Sequence, residues 1–201
     1  MPRKTDARRN ALIAAERLFR EKGYAATGLT EILAASGSPK GSFYFHFPEG
    51  KAQLADEVLQ RYGARIEAWL KALADRVREP RLFTIALCDA LADEMAAAGW
   101  RLGCAAQNIA NEAAPQEDAL AMRAHQVFES WLAVLEQALG EGLSPPEARR
   151  RAVLLLSGLQ GARGLARASG SREAFEALKG GAEEPDRFRP DPAHSTSGPS
   201  A

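Results

Sequence analysis

Lys40, Ser42, Tyr44 and His46 bring an ammonium, two hydroxyls and an imidazole into seven consecutive residues. On one short helix such groups donate to phosphate oxygens and to base edges in the major groove. Gly41, beside Ser42, keeps that helix slim where bulk would hold it off a groove. Lys51, just beyond, is positioned for flanking phosphates, and Thr30 carries a further hydroxyl. A helix start near Thr27 favours a phosphate, because its N–H groups are unpaired. With Ser38 and Pro39 at the entry, the candidate DNA contacts are Thr27, Thr30, Ser38, Pro39, Lys40, Gly41, Ser42, Tyr44, His46 and Lys51. The aromatic run Phe43–Phe47, taken alone, reads more readily as core than as recognition surface.

These groups need a frame. A first helix is predicted from a cap at Thr5 or Asp6 to about Lys22, with Ala11, Leu12, Ala15, Leu18 and Phe19 inward. Gly23 ends it. Thr27 is the expected N-cap of a second helix through Ser36. Gly37 supplies the positive φ that the next turn needs. Ser38 then caps and Pro39 opens a third helix to about His46. Two short helices across a tight turn, the second of them polar, form a helix-turn-helix.

Helical periodicity continues over 51–78, 81–98, 102–113 and 116–139. Pro80 breaks the first of these. A capping box, Ser144-Pro145-Pro146-Glu147, opens an eighth helix to about Arg167, and Ser171 caps a short last one. The polar segment 182–201, with four prolines, is expected to be disordered. The fold class is therefore all-α, with about nine helices: a head at 1–50, a body at 51–181 and a tail at 182–201.

The chain has 201 residues, of which 46% are apolar, enough for a real core. Net charge is zero, yet residues 1–51 carry nine Lys or Arg against five Asp or Glu. The head is thus +4 and the remainder −4, and the local field is what a phosphate backbone meets. No apolar run approaches the roughly 18 residues of a membrane span, and no secretion signal precedes the first helix. A cytoplasmic location is the expectation. Cys88 and Cys104 belong to no metal-spaced cluster. His125 has Glu129 at i+4, which could at most pair with it, so no metal and no cofactor is expected. An enzyme is disfavoured as well: no Gly-x-Ser-x-Gly elbow, Walker loop or His-Glu-x-x-His site occurs.

The head resembles the amino-terminal domain of the TetR family of bacterial transcriptional regulators. The resemblance rests on Ala14, Ala15, Leu18 and Phe19, on Gly23, Tyr24 and Thr27, and on Gly37, Lys40, Gly41, Tyr44, His46 and Phe47. It spans about residues 5–62 with unbroken spacing. Phe47-Pro48-Glu49-Gly50-Lys51 is similar to a subset with one extra loop residue. Ser38 and Phe45 depart from the usual apolar and polar-aromatic residues. The resemblance implies a homodimer on a partly palindromic DNA operator, usually a repressor released by a small molecule.

In the body, Trp69, Phe83, Met95, Trp100, Phe128 and Trp131 come from successive helices, and Leu87 lies among them. So much large apolar area suggests a cavity as well as ordinary core. The family pocket lies between the fourth and eighth helices, which supports the cavity. Residues 103–112 are similar to a Gly-Cys-x-x-x-Asn-x-Ala-x-Glu signature of the same subset, where the sixth helix starts beneath the pocket and abuts the head. Cys104 and Asn108 therefore join the candidate ligand contacts, Asn108 as a polar group on the wall. Cys104 has two readings, a buried filler or a reactive thiol sensing electrophiles or oxidants. A ligand-independent DNA binder is the other alternative. The eighth and ninth helices carry the expected subunit interface, with Leu155, Leu159, Ala162, Leu165 and Phe175.

Overall fold

The computed structural model describes residues 4–113 and 117–183. Among these residues every regular element is a helix: α1 (Lys4–Lys22), α2 (Leu29–Ser36), α3 (Lys40–His46), α4 (Lys51–Arg76), α5 (Pro80–Ala97), α6 (Ala105–Ala113), α7 (Asp118–Leu139), α8 (Pro145–Ser169) and α9 (Glu173–Glu183). Among the described residues no helix is long and apolar enough to cross a membrane. Of the tail expected to be disordered, Ala182 and Glu183 are the last residues of α9 and the rest lies outside the described residues.

The head is built on a small aromatic core. Phe19, Ile32, Phe43 and Phe47 are buried together, and the Phe43 and Phe47 rings lie 5.0 Å apart. The α2–α3 turn closes as a Schellman motif. Gly37, at φ 63°, donates to the Ala34 carbonyl, and Ser38 N–H to the Leu33 carbonyl. The expected caps are corrected. Gly28, not Thr27, precedes α2, and the enclosed Thr27 hydroxyl donates to the Gly23 carbonyl at 2.6 Å. Pro39 is the N-cap of α3, while the buried Ser38 hydroxyl donates to the Ala7 carbonyl. Lys4, Thr5 and Asp6 already lie within α1.

In the body α4 and α7 pack most intimately. Tyr62 and Trp131 meet edge to face at 6.0 Å, and the Trp131 indole N–H donates to the Gly63 carbonyl at 3.0 Å. Pro80 does not merely break the chain. It is the first residue of α5, whose cap is Glu79, accepting from the Arg81 and Leu82 N–H groups. The Ser144 box is corrected too: α8 starts at Pro145, but Ser144 makes no side-chain cap bond, and Glu147 pairs with Arg150 and Arg151. Two arginines outcompete a single backbone N–H for that carboxylate.

Gly63 marks the closest approach of α4 to α7, since a Cβ there would stand 2.7 Å from a Val127 methyl. Valine in a helix has little χ1 freedom to retreat. Gly63→Ala is therefore expected to lower unfolding stability in urea by about 1–3 kcal/mol, and adding Val127→Ala should recover much of the loss.

Candidate nucleic-acid interface and body cavity

α3 turns one face to solvent. Lys40, Gly41 and Tyr44 are exposed, with Pro39 before them and Thr30 across the turn on α2. Ser42 and His46 are half-buried at the edges of that face. A Cβ on Gly41 would meet nothing within 4 Å, so nothing inside the chain requires glycine there. Phe45, left out of the candidate contacts, is 70% exposed, the most open large apolar side chain of the helix. Its position was readable: Phe43 and Phe47 are i and i+4 on the buried face, and Phe45 falls on the opposite side.

Three expected contacts lie elsewhere. Thr27 and Ser38 are buried, their hydroxyls committed to backbone carbonyls. Lys51 reaches inward: its ammonium donates to the Tyr24 carbonyl at 2.7 Å and stands 4.2 Å from the centre of the Tyr24 ring. Burial lowers its pKa, partly offset by Glu117 and Glu112. Lys51 thus ties the start of α4 to the turn after α1.

The body holds a narrow, mainly apolar cavity between α4, α5, α7 and α8. Trp69, Leu87, Cys104 and Trp131 line it as expected. Phe83 and Met95 are instead fully buried core, and Phe128 packs edge-on behind Trp131 at 5.5 Å. Trp100 forms the corner after α5, in the left-handed region at φ 61°. Cys104 is 2% exposed and accepts from the Gln160 amide at 3.7 Å, which fits a filler and denies it the exposure a reactive thiol needs.

Asn108 is not a wall residue. Its amide donates to the Phe19 carbonyl at 2.7 Å, satisfying the last turn of α1. Gly103 and Arg20 exchange two bonds, Gly103 N–H to the Arg20 carbonyl and Arg20 Nε to the Gly103 carbonyl, each 2.9 Å. Glu112 accepts from the Ala25 N–H, and the Tyr24 hydroxyl donates to Glu117 at 2.9 Å. Gly103, Asn108, Glu112 and Glu117 therefore grip the end of α1 and the turn after it.

The strongest link is ionic, and sequence reading missed it. Arg20 is buried and donates to Glu94 of α5 at 2.8 Å, while Arg163 of α8, also buried and lining the cavity, reaches the other oxygen of Glu94 at 3.4 Å. Burial pushes the Glu94 carboxyl up, but Arg20 and Arg163 outweigh that and hold it below the ordinary range. No motif announces three residues spaced 74 and 69 apart along the chain.

Only Leu165 of the expected subunit contacts is exposed. Leu155, Leu159, Ala162 and Phe175 are buried within the chain, and Leu159 lines the cavity. The outward ridge of α8 is Val153, Leu154 and Leu165, with Gly161 and Gly164 between them. Both faces of α8 are apolar, so the pattern alone did not tell inside from outside.

Residues 11–58 match the family model for bacterial regulatory proteins of the tetR family, and residues 80–180 match the model for the C-terminal domain of LmrA/YxaF-like transcriptional regulators. The chain belongs to the TetR family. It is a DNA-binding transcriptional regulator of the helix-turn-helix type. Among its relatives is the HTH-type transcriptional regulator LmrA of Bacillus subtilis, 30% identical over 78% of this chain and 84% of that one. The HTH-type transcriptional repressor DhaR of a Mycobacterium species is 26% identical over 73% of this chain and 72% of its own. The regulatory protein TetR from Rhodobacter sphaeroides superposes with a TM-score of 0.80 at 24% identity, covering 88% of this chain and 96% of that one, which establishes the shared fold.

In this TetR-family chain Glu94 joins head to body. Glu94→Gln would leave two buried guanidiniums without a charge partner, and is expected to destabilise the protein by about 2 kcal/mol, less than a fully enclosed pair because Glu94 is partly exposed. The depressed pKa makes this contribution complete above the ordinary glutamate range and lost as pH falls below it. Urea unfolding of the wild type should therefore weaken between pH 6 and 3 more than that of Glu94→Gln.

Proposed function

We propose that the protein is a ligand-responsive repressor that binds a partly palindromic operator as a homodimer and leaves it when a small, mainly apolar molecule enters the body cavity. The observation that carries this reading is the placement of the Arg20–Glu94–Arg163 cluster, which touches the cavity at one end and the first helix of the head at the other. A change in cavity occupancy acts on Arg163, which shares the Glu94 carboxylate with Arg20 of the head. The repressor DhaR, a relative, favours repression over activation.

On DNA, the exposed face of α3 enters the major groove. Lys40, Ser42 and Tyr44 contact phosphates and bases, Thr30 and His46 flank them, and the open surface at Gly41 admits the groove wall. Phe45 adds an apolar contact suited to a thymine methyl. Lys40→Ala and Tyr44→Ala should each weaken binding to the inverted repeat near the protein's own gene at least tenfold in a mobility-shift assay. Unchanged binding in both would remove α3 as the reading helix. Wild-type affinity should also fall steeply with salt, as phosphate contacts release counterions.

Dimerisation uses the outer ridge of α8 together with the open glycines of α9, Gly180 and Gly181. Exposed leucines separated by glycines allow a second copy's helix to approach closely. Leu154→Glu is expected to give monomers in sedimentation velocity while leaving the helical content intact. An unchanged dimer would place the interface elsewhere.

A further inference from the structure

The cavity wall is apolar except at one end, where Gln160 and Arg163 stand one helical turn apart on α8. Among the described residues, Arg163 Nη1 and Gln160 Oε1 are buried without a hydrogen-bond partner. The Arg163 side chain is 7% exposed. An unmet donor and an unmet acceptor one helical turn apart in a mainly apolar wall are expensive unless something completes them. The charges are also unequal. Arg20 and Arg163 share the single carboxylate of Glu94, and Glu16, the nearby acid on α1, is engaged by Arg65. The cluster therefore carries one positive charge in excess.

We infer that the cavity, about 40 Å³ as it stands, widens to take a flat apolar molecule ending in a carboxylate, which accepts from Arg163 Nη1, with a hydroxyl meta to it that donates to Gln160 Oε1. The carboxylate neutralises the excess charge, and the aromatic walls of Trp69, Trp131 and Tyr62 receive the rest of the molecule. Because the incoming anion takes Nη1 and shares the Arg163 charge with Glu94, which is held through Nη2, it weakens the longer of the two ion pairs, the one at 3.4 Å, and leaves the Glu94–Arg20 pair in place. This inference rests on the reading of the cavity as an effector site and names the chemistry of the effector.

The test uses the full chain and three probes: 4-hydroxy-2-naphthoate, 2-naphthoate and the neutral 2-naphthol. Binding is read by quenching of Trp69 and Trp131, with operator release measured separately. The hydroxy-acid should bind at least tenfold more tightly than 2-naphthol, the range of a charge-assisted hydrogen bond. Arg163→Gln should erase that difference, bringing the acid down to the level of 2-naphthol. Gln160→Leu should erase the preference for 4-hydroxy-2-naphthoate over 2-naphthoate, and it decides the hydroxyl half of the proposal even if Arg163→Gln does not fold. Equal affinity for acid and naphthol, a preference that survives Arg163→Gln, or no binding of any probe overturns the proposal. Tight binding of the acid without operator release removes the effector reading and keeps the carboxylate site. Release by 2-naphthol as effective as by the acid does the reverse.

Discussion

A guanidinium enclosed at the end of the first helix needs a carboxylate nearby, and Glu94 supplies it to Arg20 at 2.8 Å. Much of the molecule is arranged around that requirement. α5 must present Glu94, the segment before α6 must bring the Gly103 carbonyl to Arg20 Nε, and α8 must bring Arg163 to the same carboxylate. Three elements distant in sequence are thereby held in register at the junction of head and body. The surrounding hydrogen bonds from Asn108, Glu112 and Tyr24 extend the contact over the last turn of α1 and the residues after it.

This junction is polar, whereas the cores on either side are not. The aromatic centre of the head and the α4–α7 packing of the body belong to one continuous hydrophobic cluster. Burial supplies most of the stability and does not distinguish one relative orientation from a neighbouring one. Directional bonds do, and they are placed where head and body meet. In that junction two cations share one anion, each on a different oxygen of Glu94, the Arg20 pair being the shorter.

Helical periodicity and punctuation made the helices legible from the sequence: Gly37 and the prolines fell where turns were expected, and Lys40 and Tyr44 lie on the exposed face. The capping residues were not legible. Thr27 and Ser38 have the right chemistry for caps, but nearby carbonyls took their hydroxyls. Lys51 read as a phosphate contact because a lysine beside a recognition helix has no sequence signal for turning back onto Tyr24. The faces of α8 were ambiguous because both are apolar, with Leu155 and Leu159 buried but Leu154 and Leu165 exposed. Asn108 was noticed for its place in a motif, yet its partner is a backbone carbonyl, which leaves no trace in side-chain patterns.

At the end of α1 the Arg20 carbonyl accepts from the Gly103 N–H, and the Phe19 carbonyl, already bonded by the local Gly23 N–H, accepts a second bond from Asn108. The end of the first helix is thus written in the sequence of the sixth. Modularity in such a chain is limited: a head exchanged between relatives would carry its reading helix intact but would arrive with carbonyls cut for a different socket. New DNA specificity is reached more readily by changing exposed residues of α3 in place than by recombining whole heads, because the two halves of the junction have to change together.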